Sequence, residues 1–367
     1  MASFLSAIPG LGSFAEEADH FELEEKQRFF STSQGSASLS EALTNEDVSY
    51  KGDPMASEVY SLAVISIIHD SQHLTPISGS HMTRLCSSIV LALGVLILQG
   101  SLLYSTKTVV TPYSVSQARQ AYGAFEAHMY NSNGVQHTYL TIHGHERGVS
   151  DQYYVPSNFK SLDEDHKRLL CQMPLSNPTF TFLVLLLWTL CALGHIRRIT
   201  VMAFRFIFIP SITHAGQMIV RHASGEHQVT GLTRCIKFIL VGCVQLPRLL
   251  LTVFLLWLGL RWLLATMSMG GLIFVACGLN FILETPLLVF RAIVPFHSAH
   301  IVEITTIPPL STSARAGWRT SLGMYFLGVF AIILVYLYMY HLQQVLPDYK
   351  WDLNQACSSF LDAKAAE

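Results

Sequence analysis

Charged side chains are scarce in this sequence. Asp, Glu, Lys and Arg together make up 13% of its 367 residues, whereas soluble domains carry about 25%. The mean hydropathy is +0.39, and the net charge is −2. A protein that neutralises nucleic-acid phosphates needs a concentrated basic surface, so we expect no nucleic-acid partner. The shortage of charge favours a protein that lies largely in lipid.

The sequence also lacks the short motifs that usually indicate an enzyme. It contains no GxSxG elbow, no GxxxxGKS/T phosphate loop, no HExxH metal site and no GxGxxG between a strand and a helix. It does not open with a basic segment and a small-residue cleavage site. We therefore predict no enzyme activity, no catalytic residue, no cofactor and no secretory signal peptide.

Long uncharged runs are what the sequence does contain. Residues 85–104 carry no formal charge, and a helix of about twenty residues crosses a hydrocarbon core of ~30 Å. Similar apolar runs occur at residues 180–196, 249–266, 272–290 and 322–342. Together they predict an α-helical integral membrane protein with about five transmembrane helices, at residues 84–104, 179–197, 238–266, 270–290 and 320–342. We expect Pro247 to break the third of these helices.

Residues 1–82 form an acidic, Ser-rich leader. Carboxylates cluster at residues 16–25 and serines at residues 31–40. A segment of this composition buries too little apolar surface to offset its chain entropy, so we predict a mostly disordered cytoplasmic leader. The exception is the β-branched run at residues 59–68, which is too short to cross a bilayer. It predicts either a packed strand or a helix lying at the membrane interface.

Residues 105–178 have the features of a small α+β domain outside the membrane. Tyr122, Phe125 and Met129 recur at helical spacing, and residues 136–142 alternate in the manner of a half-buried strand. Ser161 and Glu164 fit a capping box that would begin a further helix. We therefore expect a folded domain between the first and second spans.

The orientation of the chain follows from its cations. Lys and Arg concentrate in residues 198–236 and again in residues 291–319. Short loops rich in these residues stay in the cytoplasm. With five spans, this rule predicts a cytoplasmic leader, an exofacial 105–178 domain and an exofacial tail at residues 343–367.

The predicted topology selects one pair among the seven cysteines. Only Cys171 and Cys357 fall in segments assigned to the exofacial side, where disulfides persist. They form a possible disulfide between the domain and the tail. The alternative is two unrelated thiols, because a sequence does not measure the distance between them.

Several polar residues lie within the predicted spans. Glu284 is at membrane depth, four residues after Asn280, and an unpaired charge there is costly enough to indicate function. A short turn joins the third and fourth spans, so Arg248 is expected to reach Glu284 from the neighbouring helix. This pair either fixes the register of the hairpin or forms a proton relay or ion gate. Arg261 is expected to snorkel outward beside Trp257, with an anion site as the alternative.

Histidines cluster in the predicted domain. His143 and His145 alternate along the predicted strand, and His128 and His137 are near in sequence. Imidazoles on one face could hold zinc or copper. Because no Cys pair accompanies them, we interpret them as solvated loop histidines and predict no metal site, with a pH-sensing surface as a further alternative.

Distinctive short phrases give the chain a family resemblance. Residues 171–180 read CQMPLSNPTF, residues 187–190 LWTL and residues 256–263 LWLGLRWL, and shorter phrases are GLT at 231–233, PR at 247–248, AT at 265–266, NFIL at 280–283 and VP at 294–295. In these phrases, over roughly residues 115–305, the chain resembles a large family of uncharacterised multi-pass membrane proteins abundant in dinoflagellates. The resemblance implies the topology and no activity. Thr285 and Pro286 stand where the family pattern leads us to expect a further acid.

The functional expectation is a channel or transporter-like subunit that moves ions or small solutes. Arg248, Glu284 and Asn280 would line or brace the polar part of its helix bundle. Because five spans are few to enclose a path, we expect a homo-oligomer or a larger membrane assembly. The alternative is a membrane-anchored sensor or scaffold that binds a partner through the 105–178 domain. In either case the lipid bilayer of the plasma membrane or an endomembrane is a partner.

Overall fold

The computed structural model describes residues 53–72, 79–132, 135–141, 144, 146–149, 156–213, 218–221, 227–308 and 318–365. The predicted disorder of residues 1–52 therefore lies outside the described residues. The described part is a helical protein with a few short strands. Five of its helices are long and apolar enough to cross a membrane, namely Met82–Met129, Pro178–Phe208, Arg234–Leu264, Met269–Ile293 and Tyr325–Leu342.

Most of the described residues lie in helices. The α-helices are α1 Val59–Gln72, α2 Gly79–Ser105, α3 Thr111–Met129, α4 Pro156–Ser161, α5 Glu164–Gln172, α6 Pro178–Phe208, α7 Arg234–Phe238, α8 Leu246–Leu264, α9 Met269–Ile293, α10 Phe296–Ile304, α11 Trp318–Leu337 and α12 Asp352–Ala365. The strands are β1 Asp53–Pro54, β2 Asn131–Ser132, β3 Val135–Gln136, β4 Thr138–Leu140, β5 Glu146–Gly148, β6 Ile219–Arg221, β7 His227–Val229 and β8 Thr305–Ile307.

The first span continues directly into the domain that follows it. A π-helical segment, Thr106–Val110, joins α2 to α3, and the resulting helix over Met82–Met129 has 48 residues. At 1.5 Å per residue it is ~70 Å long, more than the ~45 Å of a whole bilayer, so it must extend well beyond the membrane. Pro112 lacks an N–H at the start of α3. The π turn before it, in which the Thr111 N–H reaches the Thr106 carbonyl, keeps the helix continuous.

The third span is continuous across Pro247, so the predicted break there is wrong. A π-helical segment, Ile239–Gln245, connects α7 to α8 immediately before the proline. The Leu246 N–H donates to the Val241 carbonyl, five residues earlier. The wider π turn accommodates the bulky proline ring, and the helix continues although Pro247 has no N–H to donate.

The run at residues 59–68, which the sequence sets apart from the predicted disorder of the leader, lies in an ordered helix. α1 covers the run at residues 59–68, and it is buried against α2, with Val59 and Ile68 almost fully buried. Contacts at both ends fix an antiparallel arrangement. Tyr60 donates to Gln99 Oε1 at 3.1 Å, and Arg84 donates to Asp70 Oδ1 at 2.7 Å. Of the two predicted alternatives for this run, the helix is therefore the one observed, and the strand is wrong.

One end of the bundle, which we call the domain end, carries the predicted α+β domain. It contains α3 to α5 and two antiparallel strand pairs, β2 with β3 and β4 with β5. The predicted capping box is wrong, because α5 begins after Asp163 and no side chain caps it. The Ser161 hydroxyl donates instead to the Asn158 carbonyl at the end of α4.

The opposite end, which we call the sheet end, carries a four-stranded sheet in the order β1-β8-β7-β6. β7 and β8 are parallel and the other pairs are antiparallel. The sheet joins the segment before α1, the connection after α6 and the connection after α10. These are the connectors that the five-span topology assigns to a single side of the membrane.

A cysteine-accessibility experiment tests which end faces the cytoplasm. In a cysteine-free variant, we expect Gln355→Cys, at an exposed position of the domain end, to react with a membrane-impermeant maleimide on intact cells. In a second variant that keeps Cys235 as its single cysteine, exposed in α7 at the sheet end, labelling should need permeabilisation, because the connector before α7 is rich in Lys and Arg. Labelling of Cys235 but not of Gln355→Cys on intact cells would invert the orientation.

Candidate functional site

A charged pair lies inside the bundle near the sheet end. Arg248, which is 8% exposed on α8, donates through both terminal nitrogens to the two carboxylate oxygens of Glu58, each at 2.6 Å. Its guanidinium also lies over the ring of Tyr60, 4.7 Å from the centroid. The predicted partner, Glu284, is therefore wrong. The actual partner precedes α1, in a segment for which the sequence predicts disorder.

Polar contacts extend from this pair across the bundle. Tyr60 donates to Gln99 Oε1, and Gln99 Nε2 donates to the carbonyl of Ile282 at 2.7 Å. That carbonyl would ordinarily accept from the residue four positions later, which is Pro286 and has no N–H. Gln99 thus satisfies a backbone group that the proline leaves open, as a lipid-surrounded helix requires. No periodicity in the sequence reveals this contact.

Glu284 belongs to a short contact on its own helix. Asn280 Nδ2 donates to Glu284 Oε1 at 3.1 Å, one turn apart on α9. Among the residues that the structure describes, Glu284 forms no ion pair. Asn280 and Glu284 therefore contact each other, while Arg248 pairs with Glu58, immediately before α1.

Two cavities share Arg248 in their walls. The smaller one has a volume of about 20 Å³ and is lined in part by Gln99, His195 and Thr252, enough space for about one water molecule. The larger one has a volume of about 470 Å³ and includes Glu58 in its wall. The Arg248–Glu58 pair therefore lies between the larger cavity and the smaller one, which we call the inner void.

The larger cavity is strongly basic. One face of α6 contributes most of its wall, with Arg197, Arg198 and Arg205 at helical spacing on that face. Arg248 adds a fourth guanidinium, and Glu58 is the carboxylate in its wall. From the sequence alone, these arginines indicated only the orientation of the chain across the membrane. Arg205 follows Arg198 and Arg197 by seven and eight residues, which is about two helical turns, and this spacing was the available signal for a shared site.

Arg261 lies apart from this site. It occupies the last turn of α8, thirteen positions and therefore ~20 Å along the helix from Arg248. Its guanidinium lies 5.9 Å from the centroid of the Trp257 ring. The structure thus places it beside the predicted indole neighbour, and it does not join the pair formed by Arg248.

At the domain end, the C-terminal tail is tied to the domain. Cys171 and Cys357 are joined in a disulfide, with Cα atoms 5.2 Å apart. Tyr122 and Tyr130 donate to the two carboxylate oxygens of Asp352, at 3.1 and 2.7 Å. The sequence indicates the cysteine pair but gives no sign of the tyrosine–aspartate contact.

Further contacts hold the segment before α12. Arg119 donates to the carbonyl of Val345 at 2.9 Å, and Arg147 donates to that of Pro347 at 3.0 Å. Tyr349 donates to the carbonyl of Leu175 at 3.2 Å. Burial raises the pKa of Tyr349 well above its ordinary value, and Asp352 adds to the rise. The phenol therefore remains a neutral donor at physiological pH.

The predicted histidine cluster is only partly described. His143 and His145 lie outside the described residues. His128 Nε2 lies 3.0 Å from the carbonyl of Asn158, so this ring joins the end of α3 to α4. Within the described ranges, no group of three or more His, Cys, Asp or Glu side chains is placed to hold a metal ion.

Comparisons with protein-family models, curated proteins and solved structures find no match to this chain. The resemblance to the dinoflagellate membrane proteins therefore rests on the phrases quoted above.

Proposed function

We propose that the protein is a channel or transporter-like subunit that moves ions or small solutes. The observation that carries this proposal is the position of Arg248, paired with Glu58 and present in the walls of both cavities. In this proposal the pair is a gate between the larger cavity and the inner void. Ionisable side chains inside a membrane bundle are costly, and they commonly mark ion or substrate pathways.

The polar groups beyond the gate support a path through the same region. Gln99, His195 and Thr252 line the inner void, and the Asn280–Glu284 pair lies on α9, the helix that carries Ile282. The void is only about 20 Å³. Passage therefore requires the gate side chains to move, or the path to be completed in a homo-oligomer or larger assembly.

Efflux from proteoliposomes tests the proposal. Vesicles loaded with KCl and containing the full chain should lose K⁺ or Cl⁻ several-fold faster than protein-free vesicles. Glu284→Gln should reduce this efflux several-fold, because it removes the charge at membrane depth while keeping the side-chain shape. Ion-selective electrodes record both ions.

The matched control is Glu303→Gln on α10, where the carboxylate is exposed and lies outside the five apolar spans. It should leave efflux unchanged. A monodisperse protein that releases neither ion faster than protein-free vesicles would overturn the transport proposal.

A second candidate function is a sensor or scaffold that binds a partner through the domain. It is favoured by apolar side chains exposed on the strand pairs of the domain end, Val135 at 58% and Leu140 at 69%. Unchanged efflux in Glu284→Gln, together with partner capture that Leu140→Lys abolishes, would favour this function over transport.

A further inference from the structure

The basic cavity lies at a defined depth along α6. Arg197 is nineteen positions after Pro178, where the helix begins at the domain end, so it lies ~28 Å farther along the helix axis. Arg205 lies ~40 Å from the same point. The hydrocarbon core is ~30 Å thick and the bilayer ~40–45 Å with its headgroups. If α6 enters the bilayer near Pro178, these arginines are level with the headgroups of the opposite leaflet.

The cavity wall carries more positive than negative side chains, which favours the binding of an anion. Arg197 and Arg198 form no ion pair with any residue in the described ranges, and the Arg248 charge is already matched by Glu58. Several guanidinium groups around one cavity repel each other unless a negative group lies between them. Guanidinium forks match phosphate oxygens in geometry and bind them with strong, charge-assisted hydrogen bonds.

The cavity also has space for such a group. Its volume is about 470 Å³, which is within the usual range of small-molecule sites. Its wall combines arginines with apolar side chains such as Val201 and Met202. A polar headgroup beside the arginines and an acyl chain along the apolar side chains would satisfy both parts of the wall.

We propose that this cavity binds a phosphate group, held by Arg197 and Arg198, and that the phosphate belongs to an anionic lipid headgroup of the adjoining leaflet. A free phosphate-bearing solute has the same recognition chemistry. The site does not depend on ion transport, because binding can be measured on protein in detergent.

Binding is tested with defined probes on the full chain in an uncharged detergent. Dioctanoyl phosphatidate should raise the thermal unfolding midpoint in a saturable manner, because a ligand that binds only the folded state stabilises it. In Arg197→Gln/Arg198→Gln, the lipid concentration at half-saturation should rise by about tenfold or more, since two charged hydrogen-bond donors are lost. Native mass spectrometry should count the bound lipid independently of stability.

The control is Arg234→Gln/Arg291→Gln, which removes the same charge at exposed positions of the sheet end that do not line the cavity. Its response to phosphatidate should equal that of the unsubstituted protein. Inorganic phosphate distinguishes the two sources. A much weaker response than to phosphatidate supports the lipid headgroup, and an equal response supports a free phosphate. Absence of saturable binding of both probes, or equal lipid affinity in the two double variants, would overturn the proposal.

Discussion

Replacing Arg248 with methionine is expected to lower the free energy of unfolding by about 3–5 kcal/mol, because it leaves a largely buried carboxylate without its partner. In the native protein the two Glu58 oxygens each accept a hydrogen bond at 2.6 Å from that guanidinium. Methionine fills a similar space but donates nothing. The effect would be measured as the thermal unfolding midpoint of the purified protein in detergent, with monodispersity after heating as a second readout.

The control for this prediction is Arg234→Met. Arg234 is exposed at the start of α7, so its loss should change the unfolding free energy by no more than about 0.5 kcal/mol. If Arg248→Met were as stable as Arg234→Met, the pair would contribute nothing to folding, and the ordering of the segment before α1 would need another cause.

The double variant Glu58→Met/Arg248→Met separates folding from gating. Replacing a buried ion pair by apolar side chains of similar size is often neutral for stability, so most of the loss in the single variant should be recovered. An apolar constriction excludes hydrated ions. The folded double variant should therefore release K⁺ and Cl⁻ no faster than protein-free vesicles, whereas unchanged efflux would show that ions do not pass this pair.

The architecture that hydrophobicity governs could be read from the sequence. Five apolar helices and a mixed domain after the first of them follow from run length and periodicity, which are local properties. The grouping of connectors into two ends follows from counting spans. The pairing of Cys171 with Cys357 could be suggested in the same way, because four spans separate the two cysteines and an even number of crossings puts both on one side.

The candidate site could not be read in the same way, because its contacts join distant segments. Glu58 and Arg248 are 190 positions apart, and nothing in the local pattern around Glu58 distinguishes it from the other acids of the leader. Proximity in sequence instead favoured Glu284, which lies on the next helix. Likewise, the sequence correctly predicts that a backbone N–H donor is missing at Pro247. It does not predict that a π turn will keep the helix intact.

Replacing Cys357 with serine is expected to lower the free energy of unfolding by about 2–4 kcal/mol, because the disulfide no longer restricts the unfolded chain. The bridge spans a sequence separation of 186 residues. In the folded state the tail should remain docked, since Tyr122 and Tyr130 still donate to Asp352. The loss would be measured as a lower thermal unfolding midpoint under non-reducing conditions.

The contribution of Asp352 to docking can be measured by combining the substitutions. Limited proteolysis of Cys357→Ser/Asp352→Ala should release the tail faster than in either single variant, because two phenol hydroxyls then lose their acceptor as well. Cys277→Ser, at a free and exposed cysteine, is the matched control and should change neither the unfolding midpoint nor the rate of cleavage. If Cys357→Ser behaved like Cys277→Ser in both measurements, the disulfide would not hold the tail to the domain, and its attachment would rest on the polar contacts alone.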